Sequence, residues 1–168
     1  MKVSVIANVS VNGRFLLSDN PHHKLPPEVM EFYLEFAKRV GNLVIGFKTF
    51  ENFQHFPTEL REKFKEIEIV ILSDQAYSVE GYKVVGSPEE AIAYMTAKGI
   101  TEMAVGGGIG TFNAFIDKDL VTDFYLNMSP VLIGGSGTLG NNNDFFSTLQ
   151  FKEYSYKEGF LQLHLIKE

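Results

Sequence analysis

The chain contains no cysteine, which removes disulfides, thiolate metal sites and thiol nucleophiles together and suits a reducing compartment. It also lacks a basic surplus. Fifteen Lys and Arg stand against 21 Asp and Glu, for a formal net charge of -6, so little attracts a phosphate backbone or an anionic lipid surface. Neither nucleic acid nor membrane is an expected partner. No stretch approaches the roughly 18 apolar residues of a spanning helix. Met1–Ala7 enters a strand-like run rather than a basic region followed by an apolar stretch and a cleavage site, and the expected location is the cytoplasm. Tandem repeats and low-complexity tracts are missing too; the nearest thing to a linker is the short polar turn Gly140-Asn141-Asn142-Asn143-Asp144. Histidine is sparse. His22 and His23 are adjacent and cannot share a helical face, His55 and His164 are remote, and no zinc-ligand spacing results. His22 and His23 are read as loop residues, and no metal is expected.

What is present fits one well-cored domain over residues 1–168, with 45% hydrophobic and 21% charged residues,. Strand-length apolar runs occur at Val3–Val9, Leu43–Ile45, Ile67–Leu72, Tyr82–Val85 and Met103–Val105. Several are apolar on both faces, as strands covered on each side by helices must be. Helical patterns lie between them. Pro27–Arg39 opens with proline and an acid and carries Val29, Phe32, Tyr33, Phe36 and Ala37 at helical spacing, while Ser87-Pro88-Glu89-Glu90 is an N-cap with proline at N1 ahead of Ala91–Lys98,. This alternation predicts an α/β fold with a mainly parallel sheet and ligands at the carboxyl ends of its strands. The end of the chain differs: Thr122–Ile133 reads as one long β stretch, and Phe151–Tyr156 and Phe160–Ile166 flank Lys157-Glu158-Gly159 as an antiparallel hairpin,.

Two glycine turns stand out. Gly106-Gly107-Gly108 follows the apolar run Met103–Val105, and consecutive glycines are too costly in backbone entropy to serve packing alone,. The helical pattern behind them, Thr111–Ile116, would present unpaired N–H groups and a positive dipole end to an anion. The second turn, Ile45-Gly46-Phe47-Lys48-Thr49, sets a bare glycine, a cation and a hydroxyl at another strand end. It is a near miss to the phosphate loop, because Phe47 separates Gly46 from Lys48. Gly135-Ser136-Gly137-Thr138-Leu139-Gly140 matches the letters of the dinucleotide fingerprint, but Asn141-Asn142-Asn143-Asp144 follows instead of a helix, so we discount it.

Taken together, Ile45–Glu51, Val70–Ser73, Val105–Gly108 and Leu120–Asp123 with Ser129–Gly137 resemble the superfamily of dihydrofolate reductases and the reductase domain of riboflavin biosynthesis. The resemblance implies a dihydrofolate reductase-like three-layer sandwich, a mostly parallel sheet flanked by helices and closed by an antiparallel C-terminal hairpin. Ser10-Val11-Asn12-Gly13 and Leu120–Gly137 are similar to the riboflavin branch. Leu25–Phe32 resembles the dihydrofolate reductase segment whose single buried acid grips the pterin, and that acid falls on Glu28.

The resemblance implies NADPH as cofactor, with NADH the alternative. Gly46, Lys48 and Thr49 would hold the pyrophosphate, Ser73 and Asp74 would lie by the adenosine ribose, and Gly106, Gly107, Gly108, Ile109, Gly110 and Thr111 would line the nicotinamide and pyrophosphate, with Ala7 also against the cofactor. It further implies a cis Gly106–Gly107 bond. Asn12, Glu28, Phe32 and Asn127 would meet the substrate, Glu28 as the catalytic acid; the first turn of a helix is its other natural setting. Phe47 stands where an arginine is usual, and the acid of Asp74 is a poor neighbour for a 2′-phosphate. The expected activity is hydride transfer to a small pteridine-like or aminopyrimidine heterocycle. The alternatives are a stand-alone 5-amino-6-(5-phosphoribosylamino)uracil reductase and a non-catalytic dinucleotide-binding protein. A homodimer is an open expectation.

Overall fold

Each predicted strand and helix is present in the computed structural model, which describes residues 1–17 and 20–168. Among these residues eight strands form one sheet: β1 (Lys2–Ser10), β2 (Asn42–Gly46), β3 (Glu68–Leu72), β4 (Lys83–Val85), β5 (Glu102–Gly107), β6 (Asp123–Ser129), β7 (Leu149–Lys157) and β8 (Phe160–Lys167). Their spatial order is β4-β3-β2-β5-β1-β6-β8-β7. The pairs from β4 to β6 are parallel, and β6–β8 and β7–β8 are antiparallel. The expected long stretch 122–133 is shorter, because β6 stops at Ser129, ahead of Pro130, which has no N–H to give a ladder,.

Among the described residues five helices join the strands: α1 (Pro27–Val40), α2 (Phe47–Gln54), α3 (Thr58–Glu62), α4 (Pro88–Ala97) and α5 (Ile109–Ile116). Local chemistry sets their ends. The Ser87 hydroxyl accepts from the Glu90 N–H at 3.2 Å, and the Glu90 carboxylate returns to the Gly86 N–H at 2.7 Å; such a cap is worth about 1 kcal/mol. Gly41 ends α1 in the left-handed conformation, φ 80°, which costs glycine little. Helix α2 begins where only a turn was expected, and the short α3 was not anticipated. Among the described residues no helix is long and apolar enough to cross a membrane.

Alternation along the strands divides the core. Val3, Val5 and Ala7 of β1 pack with Val44, Val70, Met95, Phe112 and Phe115 on the side of α4 and α5. Ile6 turns to the other face and joins Phe36, Ala37, Ile45, Phe50, Phe53 and Ile71 beneath α1 and α2. Helices on both faces of a parallel sheet leave the strand ends as the open ground for a ligand.

Candidate active site

The two glycine turns meet. Ile45 of β2 lies opposite Gly107 of β5, so the chain leaves both strands side by side and each turn runs straight into a helix. Gly46 is the N-cap of α2 and Gly108 the N-cap of α5, and neither helix has a side-chain cap. Their first-turn amides thus remain for another acceptor. A Cβ on Gly46 would lie 2.6 Å from Thr111 Oγ1 and 3.9 Å from the Gly108 nitrogen, and one on Gly108 would lie 3.3 Å from Thr49 Oγ1. Glycine at these positions therefore lets two helix N-termini and two threonine hydroxyls close on one spot, a cradle suited to a diphosphate.

The third glycine constraint is internal. Gly107 has φ 109°, and a Cβ there would meet the Phe112 ring at 3.0 Å. The cis bond lies at Gly107–Gly108, one residue beyond the expected Gly106–Gly107. Tyr33, half-buried, donates its hydroxyl to the Gly106 carbonyl at 3.1 Å and so ties α1 to this turn; desolvation of the hydroxyl raises its phenol well above the ordinary value,.

Other expected cofactor residues fall around this cradle. Lys48 is exposed in the first turn of α2, Thr111 is buried, and Gly110 is exposed on α5. Ser73 is buried directly after β3, whose last residue, Leu72, pairs with Gly46. Its hydroxyl accepts from the Gln75 N–H at 3.2 Å, and Asp74 beside it is exposed. Ala7 is buried with its side chain on the α5 side and is paired with Leu126 of β6.

On the α1 face, one row of neutral amides crosses three strands. Register places Asn8, Asn127 and Gln162 in line. Asn127 Nδ2 donates to Asn8 Oδ1 at 3.1 Å, and Gln162 Nε2 donates to Asn127 Oδ1 at 3.2 Å. Phe32 of α1, half-buried, faces Tyr125 at 6.5 Å between ring centroids and lines with Gln162 and His164 a hollow of about 100 Å³. Farther along, Ser10 and Ser129 are opposite each other, fully buried, and the Ser129 hydroxyl has no hydrogen-bond partner among the described residues. Asn8 and Gln162 were not singled out from sequence. The signal was there: Asn8 interrupts an apolar strand, and Gln162 and His164 alternate with leucines in β8, marking one polar face.

One expectation is corrected. The acid at Glu28 is not buried; it is exposed in the first turn of α1, where the helix dipole accounts for it. Asn12 has its amide engaged, donating to the Ile133 carbonyl at 2.9 Å and accepting from the Ser10 hydroxyl at 2.6 Å. That ties the 10–13 turn to the segment after β6. His164 lies in β8 with Nε2 2.7 Å from Asp123 Oδ1 and its ring stacked 4.1 Å from Tyr125. Burial pushes the Asp123 carboxyl up, but hydrogen bonds from His164 and Thr122 and the charge of Lys2 outweigh it, leaving it below the ordinary value. This cluster sits at the amino ends of the strands, away from the glycine turns.

Sheet order, flanking helices and glycine cradle together define a reductase fold of the dihydrofolate reductase-like class. Residues 42–159 match the family described as the RibD C-terminal domain, and the chain belongs to that family of reductases. A crystal structure of a protein assigned to riboflavin biosynthesis in Shewanella sp. PV-4 superposes with a TM-score of 0.75 at 20% identity, covering 100% of this chain and 99% of its own. A pyrimidine reductase-like protein from Corynebacterium diphtheriae gives 0.76 at 14% identity, covering 99% and 92%. None of the curated proteins matches the chain.

Proposed function

We propose that the chain, as one reductase domain over residues 1–168, transfers hydride from a reduced nicotinamide dinucleotide to an aminopyrimidine of the riboflavin pathway, of the 5-amino-6-(5-phosphoribosylamino)uracil type. The observation that carries this choice of substrate is the Asn8–Asn127–Gln162 row with Glu28 exposed. Neutral amides match the lactam and amino edges of a pyrimidine ring, whereas protonating a pterin asks for a buried acid. The dinucleotide, when bound, supplies the hydride. The chain's own residues do the rest. The first-turn amides of α2 and α5 with Thr49 and Thr111 bind the diphosphate, and Phe32 with the amide row orients the heterocycle. The buried Ser129 hydroxyl is left to meet a polar substrate group. NADPH is the cofactor implied by the family.

Incubating the protein with this ribosylaminopyrimidine and either reduced dinucleotide should lower the absorbance at 340 nm, and dihydrofolate should not. Oxidation with dihydrofolate alone would reverse the substrate choice. Cofactor binding without turnover on either would favour a binding protein. We also read Phe151, Tyr154 and Tyr156, exposed by 69%, 74% and 82% on edge strand β7, as the surface on which a second copy packs, since a row of exposed aromatics marks an interaction site. Sedimentation should show a dimer that Tyr156→Glu dissociates.

A further inference from the structure

We propose that Asp74 makes this enzyme favour NADH over NADPH, an inference that rests on the dinucleotide reading above. Strand order fixes which half of the molecule lies where. The diphosphate cradle caps β2 and β5, and the amide row that faces the substrate lies on β1, β6 and β8. The nicotinamide must reach the substrate, so it extends toward β1. The adenosine half then extends the other way, over the ends of β3 and β4.

The groups waiting there are acids and hydroxyls. Asp74 follows Ser73 at the end of β3 and is exposed, and among the described residues it makes no ion pair. At the end of β4, Gly86 donates to the carboxylate of Glu90. Lys83 belongs to the opposite end of β4, 5.4 Å over the Tyr94 ring. Phe47 and Tyr77 stack at 4.1 Å with their planes 11° apart, and the Tyr77 hydroxyl donates to Gln75. This pair gives the region a flat apolar wall without charge. Lys48 is the cation of the α2 turn, next to Thr49, whose hydroxyl abuts Gly108, and so is assigned to the diphosphate. A carboxylate at a strand end accepts hydrogen bonds from ribose hydroxyls, whereas it repels a phosphate carrying nearly two negative charges.

Calorimetric titration of the protein with NADH and with NADPH, without substrate, tests this. The expected result is NADH binding about tenfold or more tighter at low salt, a gap that narrows as salt screens the repulsion. Asp74→Ser should tighten NADPH by about fivefold or more while weakening NADH. NADPH binding as tightly as NADH, or an Asp74→Ser variant with an unchanged preference, would overturn the proposal and leave the dinucleotide reading standing. So would Lys48→Ala weakening NADPH alone. If neither dinucleotide binds, the reading beneath it fails.

Discussion

Gly110 offers a perturbation that moves stability and affinity in opposite directions. It is the second residue of α5, it is exposed, and a Cβ there meets nothing within 4 Å. Aspartate fits without strain. In the free protein its charge faces the positive end of α5, worth about 0.3–1 kcal/mol, and replacing a helical glycine adds a few tenths more. At roughly 1 kcal/mol the melting temperature of a chain this size rises by about 2–4 °C. With a diphosphate in the cradle the sign reverses. A carboxylate roughly 6 Å from one phosphate charge costs about 0.7 kcal/mol at the dielectric of water and about 2.8 at an effective value of 20. Affinity should therefore fall roughly 3- to 100-fold per charge, and less at high salt. Calorimetry of Gly110→Asp with NADH, beside Gly110→Ala as the neutral control, makes the comparison. An aspartate variant that melts no lower than wild type and binds with unchanged affinity at low salt would refute the placement of the diphosphate. Valine at Gly107 is a poorer probe: the φ of 109° there and the Phe112 ring at 3.0 Å make it a folding lesion.

Three further outcomes follow from the geometry. Glu28→Gln should change turnover by less than about twofold and lower stability by about 0.3–1 kcal/mol through the lost dipole interaction; a large fall in kcat on any pyrimidine or pterin would return the acid to the chemistry. Tyr33→Phe, by removing the half-buried hydrogen bond to Gly106, should cost about 1 kcal/mol in denaturant unfolding, and an unaltered midpoint would show that the bond contributes nothing. Because the Asp123 carboxyl is held below its ordinary value in the folded protein, its stabilisation is present above the unfolded-state pKa of about 3.9 and is lost as pH falls through the lower folded value. Asp123→Asn should thus flatten the loss of stability below about pH 4, and identical acid-unfolding curves for the two proteins would exclude the linkage.

Much of this was legible because local chemistry and global fold agree. Doubly apolar runs located β1 to β5, and the proline-led first turns located α1 and α4, since each signal is contained in its own segment. Helices α2 and α3 were not legible: at eight and five residues they are too short for a periodic pattern, and in α2 packing of Phe50 and Phe53 supplies what propensity does not,. Convergence of the two glycine turns was readable as a motif, but their contact arises from the β2–β5 pairing. The amide row depends on register across three strands that are far apart in sequence. Glu28 misled because a buried acid and an acid in a helix's first turn look alike in sequence, and only exposure separates them.

Helix α5 has a second duty beside its N-terminus. Asn113 donates to the Thr138 carbonyl and accepts from the Gly140 N–H, at 3.1 and 2.7 Å, and Asp117 accepts from the N–H groups of Asn141 and Asn142. The anchored strap carries on to Arg14, which bridges Thr138, and to Phe15, whose N–H meets the Gly137 carbonyl. One eight-residue rod is thus the common mount for the cradle, the strap and the loop after β1. Any tilt of that rod on diphosphate capture is geared directly to the strap and the β1 loop. Reshaping the strap to admit a bulkier heterocycle would therefore register as altered nucleotide affinity, so the two halves of the cleft evolve as one part.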